Sequence, residues 1–342
     1  MELKEFDYYL PQELIAQEPP KVRGASRLMT LDKISGEVNH RSFADLPGLL
    51  KPGDVLVLND SKVLPARLFG KKQSTGAVVE VGLLKDTGKN CWECLVRPGR
   101  RIRIDTVLEF GDGRLKGKVI SETEFGGRII EFYDYSDAFY TVLDELGEMP
   151  LPPYITKELE DKDRYQTVYA KNLGSAAAPT AGLHFTEELL RNIKGKGIHV
   201  CYITLHVGLG TFRPVKVERI EDHRMHGEYF EISEQSAKII ASASENGRRI
   251  VAVGTTCVRT LESVASVIKA GEELKGWTDI FIFPGYRFQV VDAMITNFHL
   301  PKSTLIMMVS AFAGRKTIME AYRQAVEKHY RFFSFGDAMY IY

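Results

Sequence analysis

Histidines set beside bare backbone are the first sign of chemistry in this chain. In Gly174–Thr186, two glycines, a proline and a run of three alanines lead to His184 and Phe185. Glycine lets main chain approach a ligand closely, and proline fixes a bend. Thr186 reads as the N-cap of a helix, with Glu187 and Glu188 in its first turn and Lys194 and Gly195 at its end. A titratable imidazole and an aromatic ring are thus delivered at a helix start, as in a small-molecule pocket. The plain alternative is a tight loop with a hydrogen-bonded histidine.

Four further polar constellations sit at element edges. Leu205–Phe212 is a strand end that gives His206 and a Gly-x-Gly turn. Without a third glycine and a following helix, the turn is not a dinucleotide fingerprint. His223, His226 and Glu228 could hold a metal, but the histidines are three apart, not four, so acid/base or hydrogen-bonding use is favoured. Val253–Glu262 is a strand leading into a helix through Thr255 and Thr256, where backbone N–H groups would favour a carboxylate or phosphate. Arg259 and Glu262 in that helix are three apart and can pair with each other. Asp292–Ser303 places Asp292, Met294 and Thr296 on one strand face, with Asn297, Phe298, His299 and Lys302 in the turn that follows.

Two other motifs carry less. Cys91 and Cys94 lie in a strand pattern that sends their thiols to opposite faces, against metal or redox use. Arg97, Arg100, Arg101 and Arg103 make the densest basic run, either a solvated turn or a phosphate-contacting patch.

The elements that must position these groups divide the chain by texture. Residues 70–149 read as short strands with regular turns, a small barrel or sandwich, closed by a helix from Ser136 to Gly147 and the prolines 150, 152 and 153. Residues 1–69 and 150–342 read as one discontinuous α/β domain, into which the first is inserted. Its helices include 187–194, one capped by Ser233, one around 257–269, one at 303–313, and one opened by a capping box at Thr317–Glu320. Lys plus Arg equals Asp plus Glu at 45 each, so any polyanion site must be a local patch. No export segment or membrane span is visible, and four cysteines suit a reduced, cytoplasmic protein.

Together these segments resemble the S-adenosylmethionine:tRNA ribosyltransferase-isomerases of queuosine biosynthesis. The resemblance also runs through Phe6–Gln17, Ser26–Met29, Val63–Arg67, Gly147–Tyr154, Arg164–Tyr169 and Tyr330–Met339. Asp105 departs from it, standing where glycine is expected after the basic turn. The resemblance implies an α/β domain with a closed, twisted β-barrel core and an inserted antiparallel β-barrel. It implies transfer and isomerisation of the ribosyl part of S-adenosylmethionine onto 7-aminomethyl-7-deazaguanine at the tRNA wobble position. Epoxyqueuosine-tRNA forms, and adenine and methionine leave.

On that reading S-adenosylmethionine is a consumed co-substrate, and no cofactor or metal is implied. The partner is tRNA carrying that base, without a membrane, and the chain is expected to be monomeric. His184, His206, His226 and His299 are candidates for the base and the acid. Phe185 and Phe298 could stack adenine or face the sulfonium. Thr255, Thr256 and Arg259 could hold the methionine carboxylate, and Asp292 or Glu228 the ribose hydroxyls, with Asn297 beside them. Competing readings are a metal hydrolase using His206, His223 and His226, and a non-catalytic tRNA-binding protein.

Overall fold

The computed structural model of the chain describes residues 1–123, 126–133, 137–157, 159–208 and 215–342, with the backbone alone at 137 and 138. The expected cap at Ser136 and the turn Leu209–Phe212 lie outside the described residues. Met1–Ser61, Pro153–Asn172 and Pro179–Tyr342 form one compact unit; Lys62–Pro152 and Leu173–Ala178 form another.

The first unit is built on a nine-stranded mixed sheet. Parallel strands His199–Leu205, Val55–Asn59, Ile250–Val253 and Ala293–Asn297 lie side by side in that order. The last three are buried along their whole length, which is why they read as unbroken apolar runs rather than alternating ones. Ala338–Ile341 pairs antiparallel to Ala293–Asn297, and Arg27–Leu31 and Val38–Ser42 extend that side. Glu228–Ile232 and Leu274–Thr278 extend the other side antiparallel.

Helices Glu187–Gly195, Glu234–Glu245 and Thr304–Ala313 begin where side-chain caps are supplied. Thr186, Ser233 and Ser303 accept bonds from the backbone N–H groups of Leu189, Ser236 and Ile306. The capping box expected at Thr317–Glu320 does not open a helix. The helix runs Arg315–Glu327 from Gly314, and Glu320 instead pairs with Arg323 on its exposed face. The helix expected around 257–269 runs Gly254–Ser263.

The second unit is a closed six-stranded antiparallel barrel of Arg67–Lys72, Val78–Gly88, Cys91–Arg97, Val107–Phe110, Leu115–Glu122 and Arg128–Phe132. Its core includes Leu68, Val81, Phe110 and Phe132, with Phe139 from helix Asp137–Leu146. Closure removes the free strand edges that so small a sheet would expose. Cys94 points into this core while Cys91 lies half-buried, and both thiols are free. Burial pushes both thiols up, the opposite of a reactive cysteine.

Candidate active site

Loops at the carboxyl ends of parallel strands bring together residues far apart in sequence. His206 follows strand His199–Leu205, and Gly254 follows Ile250–Val253. Asn297 ends its strand and His299 lies just beyond. Glu228 opens the strand antiparallel to His199–Leu205 and so returns to the same edge. The 3-10 turn Thr180–His184 packs on strand Ala293–Asn297 and on helix Gly254–Ser263. A Cβ on Gly254, where φ is +86°, would stand 3.6 Å from the Cβ of Ala181. Residues spread from 184 to 299 therefore meet at one edge of one sheet.

His184 is buried there. Its Nδ1 lies 2.8 Å from Ser26 Oγ. The Asn297 side chain is the ring's other polar neighbour. The asparagine amide is near enough to favour a charged ring, yet burial wins and, with Arg23 and Arg331 nearby, depresses the imidazole pKa to about 4. Asn297 is held from its other end, donating to Phe333 O at 2.8 Å.

The second cluster centres on the buried carboxylate of Glu228. It takes an ion pair from the buried Arg259, a 3.2 Å contact from His226 Nε2, and the backbone N–H of Gly208 at 3.0 Å. Burial alone would raise this carboxyl; the His226 hydrogen bond and the Arg259 charge outweigh it and hold the pKa low. Arg259 also donates to Thr278 O at 3.2 Å. It does not pair with Glu262, as its spacing suggested. The Glu262 carboxylate accepts instead from the backbone N–H groups of Gln289, Val290 and Val291 and from the Tyr286 hydroxyl. Glu228 is therefore committed to the protein rather than open to a ribose.

The other two histidines differ from each other. His206 is half-buried, stacks on Tyr229 at 6.3 Å, and leaves Nδ1 without a partner among the described residues. Burial lowers its pKa, against the pull of Glu231 and Asp60. His299 is fully engaged. Its ring contacts Thr296 Oγ1 at 3.0 Å and the Tyr322 hydroxyl at 3.3 Å, while its carbonyl accepts from Tyr8. Burial drives its pKa down to about 3. This is a core histidine that braces the turn.

Three further expectations meet a different geometry. Phe185 is fully buried edge-on to Phe43 at 5.1 Å. Phe298 is fully buried among Tyr322, Tyr330 and Phe332. Both rings are core, so neither offers a face to adenine. Asp292 lies at the start of its strand, the opposite edge, where its carboxylate accepts from Ile250 N at 2.8 Å and ties two strands. Thr255 and Thr256 do open helix Gly254–Ser263, without a side-chain cap, and Thr256 Oγ1 has no partner among the described residues. His223 lies edge-on to Phe281, and among the described residues no three His, Cys, Asp or Glu side chains gather as a metal-ligand set.

The sequence profile of the queuosine biosynthesis protein family matches residues 3–341. The chain belongs to that family. It is 57% identical, over the full length of both chains, to the S-adenosylmethionine:tRNA ribosyltransferase-isomerase of Halothermothrix orenii. It is 40% identical to the crystal structure of S-adenosylmethionine tRNA ribosyltransferase from Thermotoga maritima, with 99% of this chain and all of that one covered and a TM-score of 0.57.

In this queuosine biosynthesis family member, several polar residues that sequence pattern leaves unmarked share the edge. Asp60 Oδ1 accepts from Thr204 Oγ1 at 2.7 Å and Asn172 Nδ2 at 3.0 Å. The hydroxyls of Thr167 and Tyr169 have no partner among the described residues, and a Cβ on Gly182 would come within 2.2 Å of the Tyr169 oxygen. Only Asp60, directly after an apolar strand, carries a local signal. The basic run lies in the barrel unit, with Arg97, Arg100, Arg101 and Arg103 all exposed. Buried Arg128 donates to Gly99 O at 2.9 Å and Ile102 O at 2.7 Å and so fixes the turn that displays them. Asp105 has φ +69°, the left-handed geometry that explains why glycine would suit that position.

Proposed function

We propose that this carboxyl edge is where the chain works as an S-adenosylmethionine:tRNA ribosyltransferase-isomerase. The ribosyl part of S-adenosylmethionine passes to 7-aminomethyl-7-deazaguanine at the wobble position, giving epoxyqueuosine-tRNA, adenine and methionine. The observation that carries the site is the convergence of His184, Asn297 and His206 at one sheet edge, with His206 Nδ1 unpartnered among the described residues.

The sulfonium acidifies the adjacent 5′ carbon, and a neutral imidazole is suited to take that proton. Burial lowers the pKa of both rings. His206 is the better base, since it is half-exposed and Asp60 and Glu231 support its protonated form. His226, Glu228 and Arg259 act as positioning residues, holding the backbone at Gly208 just past His206. Asn297, Thr256 and the helix start at Thr255 supply hydrogen bonds to ribose and adenine. His299 braces the turn through Thr296 and Tyr322. We take the chain to act as a monomer on cytoplasmic tRNA. S-adenosylmethionine is read as a consumed co-substrate rather than a resident cofactor, and the scheme invokes no metal. Arg97, Arg100, Arg101 and Arg103 contact tRNA phosphates.

The test is adenine release from S-adenosylmethionine. It should require tRNA bearing the 7-aminomethyl-7-deazaguanine base, and His206→Asn should slow it by about 10²–10⁴-fold while S-adenosylmethionine binding persists. Methyl transfer to tRNA with S-adenosylhomocysteine as product would overturn the reading.

A further inference from the structure

A small pocket opens beside His184, bordered by Pro19, Pro20, Arg23, Ser26 and Arg164. Arg23 reaches it on a fixed arm, donating to the backbone carbonyls of Gln166 at 3.0 Å, Leu183 at 3.3 Å and Asp163 at 3.2 Å. Arg164 closes from the other side, donating to Pro20 O at 2.5 Å and Lys21 O at 3.4 Å. Arg331 holds Glu18 O in the same segment, and its charge is felt at His184. Asp161 and Asp163 lie within the field of Arg23, yet none of the three guanidiniums forms an ion pair among the described residues.

That arrangement is unusual for a structural role. Half-buried arginines normally find carboxylates, and Arg23 and Arg164 repel one another here. Backbone carbonyls fix their direction but cancel no charge. Each guanidinium has five N–H donors, so both keep donors to spare. Beside them sits the buried imidazole of His184, its Nδ1 2.8 Å from Ser26 Oγ.

We infer that this pocket is an oxyanion site, built to take one oxygen of a substrate carboxylate or phosphate between Arg23 and Arg164 beside His184. The inference rests on the function proposed above, which offers two sources of that chemistry: the amino-acid carboxylate of S-adenosylmethionine and a phosphate of the tRNA. Since Arg259 is neutralised by Glu228, this pocket is better placed than that arginine to meet a carboxylate.

The experiment compares wild type, Arg164→Gln and Arg23→Lys. Three affinities are measured: S-adenosylmethionine, decarboxylated S-adenosylmethionine, and tRNA at several salt concentrations. Thermal unfolding confirms that each variant is folded. If the source is the carboxylate, wild type should prefer S-adenosylmethionine over the decarboxylated probe by about 10–100-fold, the worth of a charged hydrogen bond. Arg164→Gln should erase most of that preference, and Arg23→Lys, which keeps the charge, should retain part of it. If the source is a phosphate, Arg164→Gln should weaken tRNA binding and reduce the salt slope by about one, with the preference between the two small probes unchanged. Unchanged binding of all three ligands in a folded Arg164→Gln variant overturns the oxyanion site. Wild type that releases no adenine with modified tRNA overturns the functional reading itself, so the two failures are told apart.

Discussion

At the scale of single residues, one buried carboxylate ties three groups of the site together. Glu228 neutralises Arg259, accepts from Gly208 and orients His226, all while nearly excluded from water. Glu228→Gln keeps the shape but leaves a buried guanidinium without its counter-charge. Breaking a buried pair from one side costs about 3–5 kcal/mol. Urea unfolding should show a loss of that size, and adenine release should fall because the tether to the backbone next to His206 is weakened. Arg259→Met added to Glu228→Gln should recover part of the stability, since the orphaned charge is then gone. If the double variant is less stable than Glu228→Gln by the full cost of a further independent substitution, the two residues are not energetically coupled. None of this is legible from Arg259 alone, whose local spacing pointed to Glu262. An i,i+3 neighbour is only one claimant on a guanidinium, and a partner 31 residues away won.

At the scale of elements, what the sequence reveals is whatever is decided locally. The caps at Thr186, Ser233 and Ser303 and the apolar strands around 55–59, 250–253 and 293–297 follow from residues within one turn or one strand. Thr317–Glu320 shows the limit: a capping-box pattern inside a helix already started by Gly314 has no helix end to cap. Phe185 and Phe298 stand next to polar site residues in sequence but face the core, a matter of which side of the backbone each ring takes. The strand order, which carries His184, His206 and Asn297 to one edge, is set by long-range pairing that no local pattern contains. The 3-10 turn Thr180–His184 ties these levels together, and Gly182 is its tight point. An alanine there would set its Cβ 2.2 Å from the Tyr169 hydroxyl and 2.8 Å from Thr167 Cγ2. Overpacking of this kind costs about 1–3 kcal/mol. Gly182→Ala should therefore lower thermal stability and displace His184, reducing adenine release. Tyr169→Phe in the same chain removes the closest atom and should restore part of both; no recovery would mean that the strain arises elsewhere in the turn.

At the scale of the whole molecule, charge and protonation act together. His184 and His299 have folded pKa values of about 4 and about 3, below the 6.5 of an unperturbed histidine. Above about pH 6.5 both states are neutral at these sites and nothing is lost. As the pH falls, the unfolded chain binds protons that the folded chain refuses, so stability declines until the folded pKa is reached. Between pH 7 and pH 5 each histidine should cost about 2 kcal/mol. Urea titrations at the two pH values should show this slope, and His184→Gln should flatten it by its share. The remaining argument concerns tRNA. With 45 cationic and 45 acidic side chains, the chain has no global attraction for a polyanion, so its phosphate contacts must be concentrated. Arg100, Arg101 and Arg103 are exposed on a turn that buried Arg128 fixes through backbone carbonyls. A rigid display spares the entropy of ordering the loop on binding. Changing the three to alanine should weaken tRNA binding and lower the slope of log affinity against log salt by about 2–3, close to one released counterion per phosphate contact. S-adenosylmethionine affinity should not change, because the histidine edge and the arginine turn belong to different units. A triple variant with an unaltered salt slope would show the arginines to be solubilising charge only, and the search for the phosphate-binding surface would then turn to Lys71 and Lys72.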